Sequence, residues 1–219
     1  MAALFLEAEH SPRRVFVWAR DWPGWCRSGK TQEEAIESLL TARDRYQRAT
    51  DLAGLELPGE GAVEVTASVE GGGGTAFGVP SVITDYDRRP AQSPESERLA
   101  AIVDASWKEF DRIAAAAPEE LRKGPRGGGR DTSAIVVHVL EADRAYAREI
   151  GIKTPPIDPG DAPAVASLRT HILALLRLPT DGSALAGRKW TARYAARRIA
   201  WHALDHAWEI EDRSQPSPS

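Results

Sequence analysis

One cysteine, Cys26, and one methionine are all the sulfur this 219-residue chain holds. A single cysteine excludes an intramolecular disulfide framework, a CxxC metal knuckle and a redox pair, so Cys26 is expected to be structural. Long apolar runs are missing as well. No stretch approaches the roughly 18 residues needed to cross a bilayer, which predicts a soluble protein with no membrane partner. The opening MAALFLEAEHSPRR has acidic residues and no basic segment ahead of its short apolar stretch. That is not the pattern of a signal peptide, and a cytoplasmic location is the expectation.

A basic excess is also lacking. The formal net charge is −4, and residues 1–90 carry 10 Lys+Arg against 14 Asp+Glu while residues 91–219 carry 18 against 18. Nothing in that balance favours a nucleic-acid or anionic lipid surface, and nucleic acid is not an expected partner. Hydrophobic content of 42% with 27% charged residues is ordinary for a globular chain long enough for one large domain or two small ones. Seven tryptophans stand out against four phenylalanines. Packing is their default role, and Trp201 and Trp208 are expected to wall a pocket beside the last helix.

The first third alternates strand and helix signals. ALFLEAE and RRVFVWAR read as strands and DWPGW as a turn on Pro23 and Gly24. Thr31 with Glu34 three residues on forms a capping box, and Ala35, Ile36, Leu39 and Leu40 make an apolar stripe that predicts a helix to about Arg48. GAVEVTASVE alternates with period two, as a half-buried strand does. The Gly- and Pro-rich stretch that follows marks a boundary, giving an αβ domain over 1–75 and a linker over 76–92.

Beyond it the periodicity is helical. Helices are expected from Ser93 to near Ala117, from an Asp131 or Thr132 cap to about Ile150, from an Asp161 cap through Leu176, and from Thr191 to Arg213. Four amphipathic helices with intervening loops predict an antiparallel four-helix bundle over 93–213, with 214–219 as a disordered tail. The fold class is therefore α+β, a small mixed αβ domain followed by a bundle.

The chemistry concentrates in the last helix, RYAARRIAWHALDHAWEIEDR, where His202 and His206 are four residues apart. One helical turn puts both imidazoles on one face, within reach of a single metal ion. A third ligand is needed, and the second bundle helix offers His138, flanked on its face by Ala134, Ala142 and Ala145. Imidazole suits zinc, nickel and iron alike. Glu141 and Glu209 lie three residues beyond His138 and His206 and could orient a ligand ring, although a surface carboxylate is the preferred reading of both. Asp205 points about 80° from the ligand direction and is expected to make a structural hydrogen bond. The basic glycine-rich loop with Arg122, Lys123, Arg126 and Arg130 is a candidate anion-binding segment, but it lacks the pattern of a P-loop. His171 and His10 are unassigned, and no catalytic residue is identified.

A helix carrying one histidine, followed much later by HxxxDH near the end of the last helix, resembles the DinB/YfiT-like four-helix metalloproteins over about residues 91–213. The resemblance implies that His138, His202 and His206 hold a divalent transition metal with water in the open positions. Some characterised relatives are thiol-dependent transferases and isomerases, which implies a low-molecular-weight thiol and a small-molecule substrate. DWPGWCRSGKTQEEAIESLLTA is similar to the HicB-like domains of antitoxins over about residues 13–48. That likeness keeps a second reading open, an interaction protein whose first domain binds a protein partner and whose metal is structural. A homodimer is compatible with both.

Overall fold

The computed structural model describes residues 3–59, 61–124 and 128–214. Among these residues it is a mixed α/β structure with one four-stranded sheet and seven α-helices. Strands β1 (Leu4–Ser11) and β2 (Arg14–Ala19) form an antiparallel hairpin, and β3 (Cys26–Gly29) pairs antiparallel with β2. After helices α1 (Gln32–Thr41) and α2 (Arg43–Leu52), β4 (Val63–Glu70) adds parallel to β1, giving the order β3-β2-β1-β4. The β1/β4 register slips by one at Leu6/Glu7, and the Thr66 hydroxyl there donates to the Leu6 carbonyl.

Helix α1 starts as its cap predicts. The Thr31 hydroxyl accepts from the Glu34 N–H, and the Glu34 carboxylate accepts from the Lys30 N–H. The expected single helix to Arg48 is instead two, broken at Ala42 and continuing to Leu52. The second piece turns Tyr46 inward, where its ring stacks on Trp25 at 5.2 Å and its hydroxyl donates to the Pro23 carbonyl. The DWPGW turn brings Gly24 against the last helix so closely that a Cβ would meet Leu204 at 2.9 Å and Ala200 at 3.1 Å. Its φ of +92° also needs glycine.

Strand alternation sorts β1 and β2 into two faces, and neither is left to water. Leu4, Leu6 and Ala8 share one face with Val17 and Ala19 and join the main apolar core. The other face carries Glu7, Glu9, Phe16 and Trp18, a composition that reads as solvent-exposed but is buried. The cover is the segment expected to be a linker, which begins with the short helix α3 (Gly73–Ala76). Glu9 accepts from the Ser81 and Val82 N–H groups and the Thr75 hydroxyl, and Glu7 accepts from Thr84 and from the Trp18 indole. Asp87, in the same segment, pairs with Arg197 at 2.5 Å. Glu9 thus supplies acceptors to backbone that would otherwise lose its hydrogen bonds on burial, and Glu7 anchors the same segment through the Thr84 hydroxyl.

Four long helices make up the rest: α4 (Ser93–Ala116), α5 (Thr132–Glu149), α6 (Ala162–Leu176) and α7 (Ala192–Ser214). Helix α4 packs along α7 and touches α2 and α6, and α5 packs on α7 and α6. Asp161 caps α6 through the Ala164 N–H as expected. Asp131 does not cap α5 with its side chain, which accepts instead from the Leu121 N–H and from Lys123. Glu119 takes over that end by accepting from the Ser133 N–H and hydroxyl. Ser214 closes α7 rather than opening a tail, and residues 215–219 lie outside the described ones. One apolar cluster runs from Leu4 and Leu6 of the sheet to Trp208 and Ile210 of α7.

Two expected outcomes follow from the buried charges. Asp87→Ala leaves the Arg197 guanidinium buried without its carboxylate, and urea unfolding should show a loss of about 3–5 kcal/mol; a loss below about 1 kcal/mol would show that the pair does not hold the segment. Asp143 on α5 is 1% exposed with neither carboxyl oxygen hydrogen-bonded, and burial raises its carboxyl from an ordinary 3.8 up to about 7. The folded state therefore holds a proton that the unfolded state has released, so this group costs stability increasingly as pH rises from about 4 to about 7. Asp143→Asn should gain stability relative to the native chain at pH 8 and little at pH 4. Equal gains at both pH values in denaturant titrations would contradict this assignment.

Candidate metal centre

Helix α7 is buried over most of its length, so each of its faces meets a different part of the protein. Ala195 and Ile199 enter the apolar core, Arg197 reaches the sheet and its covering segment, and Arg198, His202 and His206 meet α5. The two helices run antiparallel along this seam. His138 lies beside His206 and His202, with ring centroids 4.8 and 5.1 Å away, and two turns further along α5 Tyr146 lies beside His202 at 5.5 Å.

One ring nitrogen from each of His138, His202 and His206 lies within 4.8 Å of the others. Nitrogens sharing one tetrahedral ion at about 2 Å stand roughly 3.3 Å apart, a closure within the reach of ring rotation. The charge state also fits. Burial holds the His202 ring far below the ordinary histidine range, aided by the neighbouring His206 and Arg198 charges, and burial with His206 lowers His138 in the same direction. Both are therefore neutral at pH 7, the form that binds metal. His202 is the most buried of the three, and its Nδ1 is without a partner among the described residues.

Glu209 is where the sequence reading changes. Its carboxylate meets His206 Nδ1 at 2.8 Å, which fixes the tautomer with the proton on Nδ1 and leaves Nε2 free as the ligand atom. The same carboxylate accepts from Arg213, and both hydrogen bonds hold its pKa below the ordinary glutamate range. Spacing of three residues after a candidate ligand was the available signal, and it applied equally to Glu141. That side chain is exposed and pairs with Arg144, so it takes the surface role.

The remaining candidates divide in the same way. Asp205 pairs with Arg27 at 3.5 Å, the structural contact expected of it. Trp201 packs with Phe16, Trp18 and Cys26 against the sheet, touching His202 by one edge at 6.1 Å, and Trp208 is fully buried in the core. They hold α7 in place rather than walling a pocket. Of the basic loop, Lys123 is taken by Asp131, Arg122 donates to the Asp212 carbonyl, and Arg126 lies outside the described residues. Arg130 is close enough to depress the pKa of both His138 and His202. Tyr146 and Arg198 were not anticipated as site residues. Arg198 had a signal, its place one turn before His202 on the same face.

No helix is long and apolar enough to cross a membrane among the described residues. No protein-family model matches the chain, and no curated protein or solved structure matches it either.

Glu209→Gln should leave the fold intact and weaken metal binding about 10- to 100-fold, the usual effect of losing an outer carboxylate on a ligating histidine. Competition of the native and variant chains against a chromophoric zinc chelator measures this. Equal affinities would reduce Glu209 to a helix-surface residue.

Proposed function

We propose that this chain is a metal-binding protein that holds one divalent transition ion through His138, His202 and His206. The observation that carries the reading is the meeting of three imidazoles, from two helices, around one point, with burial keeping His138 and His202 in the neutral, metal-binding form. Chance places two histidines on one helical face often, but a third arriving from an antiparallel helix requires the fold. We further propose that α4 to α7 form a DinB/YfiT-like four-helix bundle, preceded by a HicB-like αβ domain over 1–75. In that setting the reaction is a metal-dependent transfer or isomerisation using a low-molecular-weight thiol, and the chain works in the cytoplasm.

The residues fit such a role in distinct ways. Three neutral ligands leave the ion its full positive charge, and three protein ligands leave it open positions. When bound, the ion would act as a Lewis acid and favour a thiolate or a deprotonated water at those positions. Glu209 would orient His206 and keep its proton on Nδ1. Tyr146 closes the side of the site next to His202, away from Glu209. Zinc, nickel and iron are all compatible with three imidazoles.

Metal analysis of protein purified without an affinity tag tests the reading. The native chain should carry about one equivalent of transition metal and His202→Ala close to none, with a lower thermal midpoint for the native chain after chelation. Equal metal content in the two proteins would remove the site.

A further inference from the structure

Among the described residues four arginines are less than a tenth exposed, and three of them have a carboxylate: Arg144 has Glu141, Arg193 has Glu95 and Arg197 has Asp87. Arg198, 8% exposed, has none among the described residues. Its Nη2 donates to the Tyr146 hydroxyl at 3.0 Å, its guanidinium lies over the Tyr146 and Trp201 rings, and its Nη1 is buried without any partner. A buried guanidinium normally requires a paired anion, because desolvation costs more than aromatic contacts return. The one the fold does not supply has a place to bind. Arg198 is one turn from His202, and Tyr146, which it bonds, has its ring on that histidine.

The neighbouring polar atoms agree. With His202 Nε2 toward the ion, the unpartnered Nδ1 carries the proton and is a donor, and the Tyr146 hydroxyl, which accepts from Arg198, has its own proton to donate. Arg130 adds a second positive charge felt by His138 and His202. Glu209, the only carboxylate bonded to a ligand ring among the described residues, is already shared between His206 and Arg213. On the side of His202 that faces Tyr146, the Arg198 Nη1 and His202 Nδ1 atoms are buried with no hydrogen-bond acceptor among the described residues.

We infer that the site takes a small acidic ligand at two points: one donor atom on the metal's open position and a carboxylate, or a similar oxyanion, on Arg198 and Tyr146. This rests on the metal reading above and adds the ligand class to it. A bidentate guanidinium contact backed by a phenol is a charge-assisted arrangement that distinguishes an acid from its neutral counterpart.

The test uses the full chain loaded with cobalt(II), whose visible spectrum reports ligand entry, and two thiol probes. 3-Mercaptopropionate and 2-mercaptoethanol both offer sulfur to the metal, and only the first adds a carboxylate. On the native chain the acid should bind about tenfold tighter, equivalent to about 1.4 kcal/mol. In Arg198→Gln that preference should fall to about unity with the affinity for 2-mercaptoethanol little changed. Tyr146→Phe, which removes one oxygen and keeps the ring, should at least halve it. A cobalt spectrum with no preference in the native chain, or a preference unchanged in Tyr146→Phe, overturns the acidic-ligand inference and leaves the metal site standing. Absence of a cobalt spectrum from the native chain overturns both.

Discussion

The ion pair of Arg197 with Asp87 sets the orientation of the helix on which everything else depends. Its partners come from three directions: the guanidinium lies 4.2 Å over the Trp18 ring of β2, bonds Asp87, and donates to the Val82 carbonyl at 2.9 Å. A buried pair of this kind adds little net stability against an apolar alternative, since desolvation consumes most of the attraction. What it does enforce is direction. Successive residues on a helix differ by about 100° in azimuth. Fixing Arg197 toward the sheet therefore turns Arg198 and His202 toward α5, where His138 waits. Gly24 tightens the same constraint by letting the sheet turn seat directly on Ala200 and Leu204.

The strap over the sheet gives the acidic residues of β1 a buried role. In a half-exposed strand, alternation of apolar and charged residues marks the wet face, and LFLEAE fits that rule. Here that face is covered by residues 75–91: Glu9 accepts from the Ser81 and Val82 N–H groups and the Thr75 hydroxyl, and Glu7 from the Thr84 hydroxyl. The sequence holds no periodic signal for such a segment because it is neither helix nor strand over most of its length. Its glycines and prolines suggested a linker, which is what the same residues look like when they follow a surface rather than leave it.

Local rules carried other parts further. Thr31 with Glu34 and Asp161 with Ala164 are caps whose chemistry is complete within four residues, so they could be read directly. The His202 and His206 pair was legible for the same reason. His138 was legible only as a helical histidine among alanines, since nothing in the spacing says that α5 lies antiparallel to α7. Asp131 failed as a cap because tertiary partners, Leu121 and Lys123, outcompeted the helix end. Glu209 and Glu141 occupied equivalent positions relative to histidines, and only the packing of Arg144 beside one and His206 beside the other separates them. What escaped was decided by packing: for His138 and Asp131 by residues outside the helix, and for the two glutamates by which of two near neighbours each side chain turned to.

The distribution of unsatisfied polar atoms separates the structural half of α7 from its chemical half. On the sheet side, Glu7, Glu9, Thr84, Asp87 and Arg197 are buried and every one is bonded. Toward α5, Arg198 Nη1 and His202 Nδ1 are buried and unbonded. The orphan of α7 on the sheet side is the neutral Trp201 indole N–H, whereas toward α5 a guanidinium is left without an anion, a local exception to the pairing of buried charge. The kind of exception also matters. Around Asp143 the orphans are a carboxyl group with the Trp107 indole and Arg169 Nε nearby, a mixed set that a proton or a small shift can reconcile. Beside His202 the orphans are donors alone, and only an incoming acceptor can reconcile those.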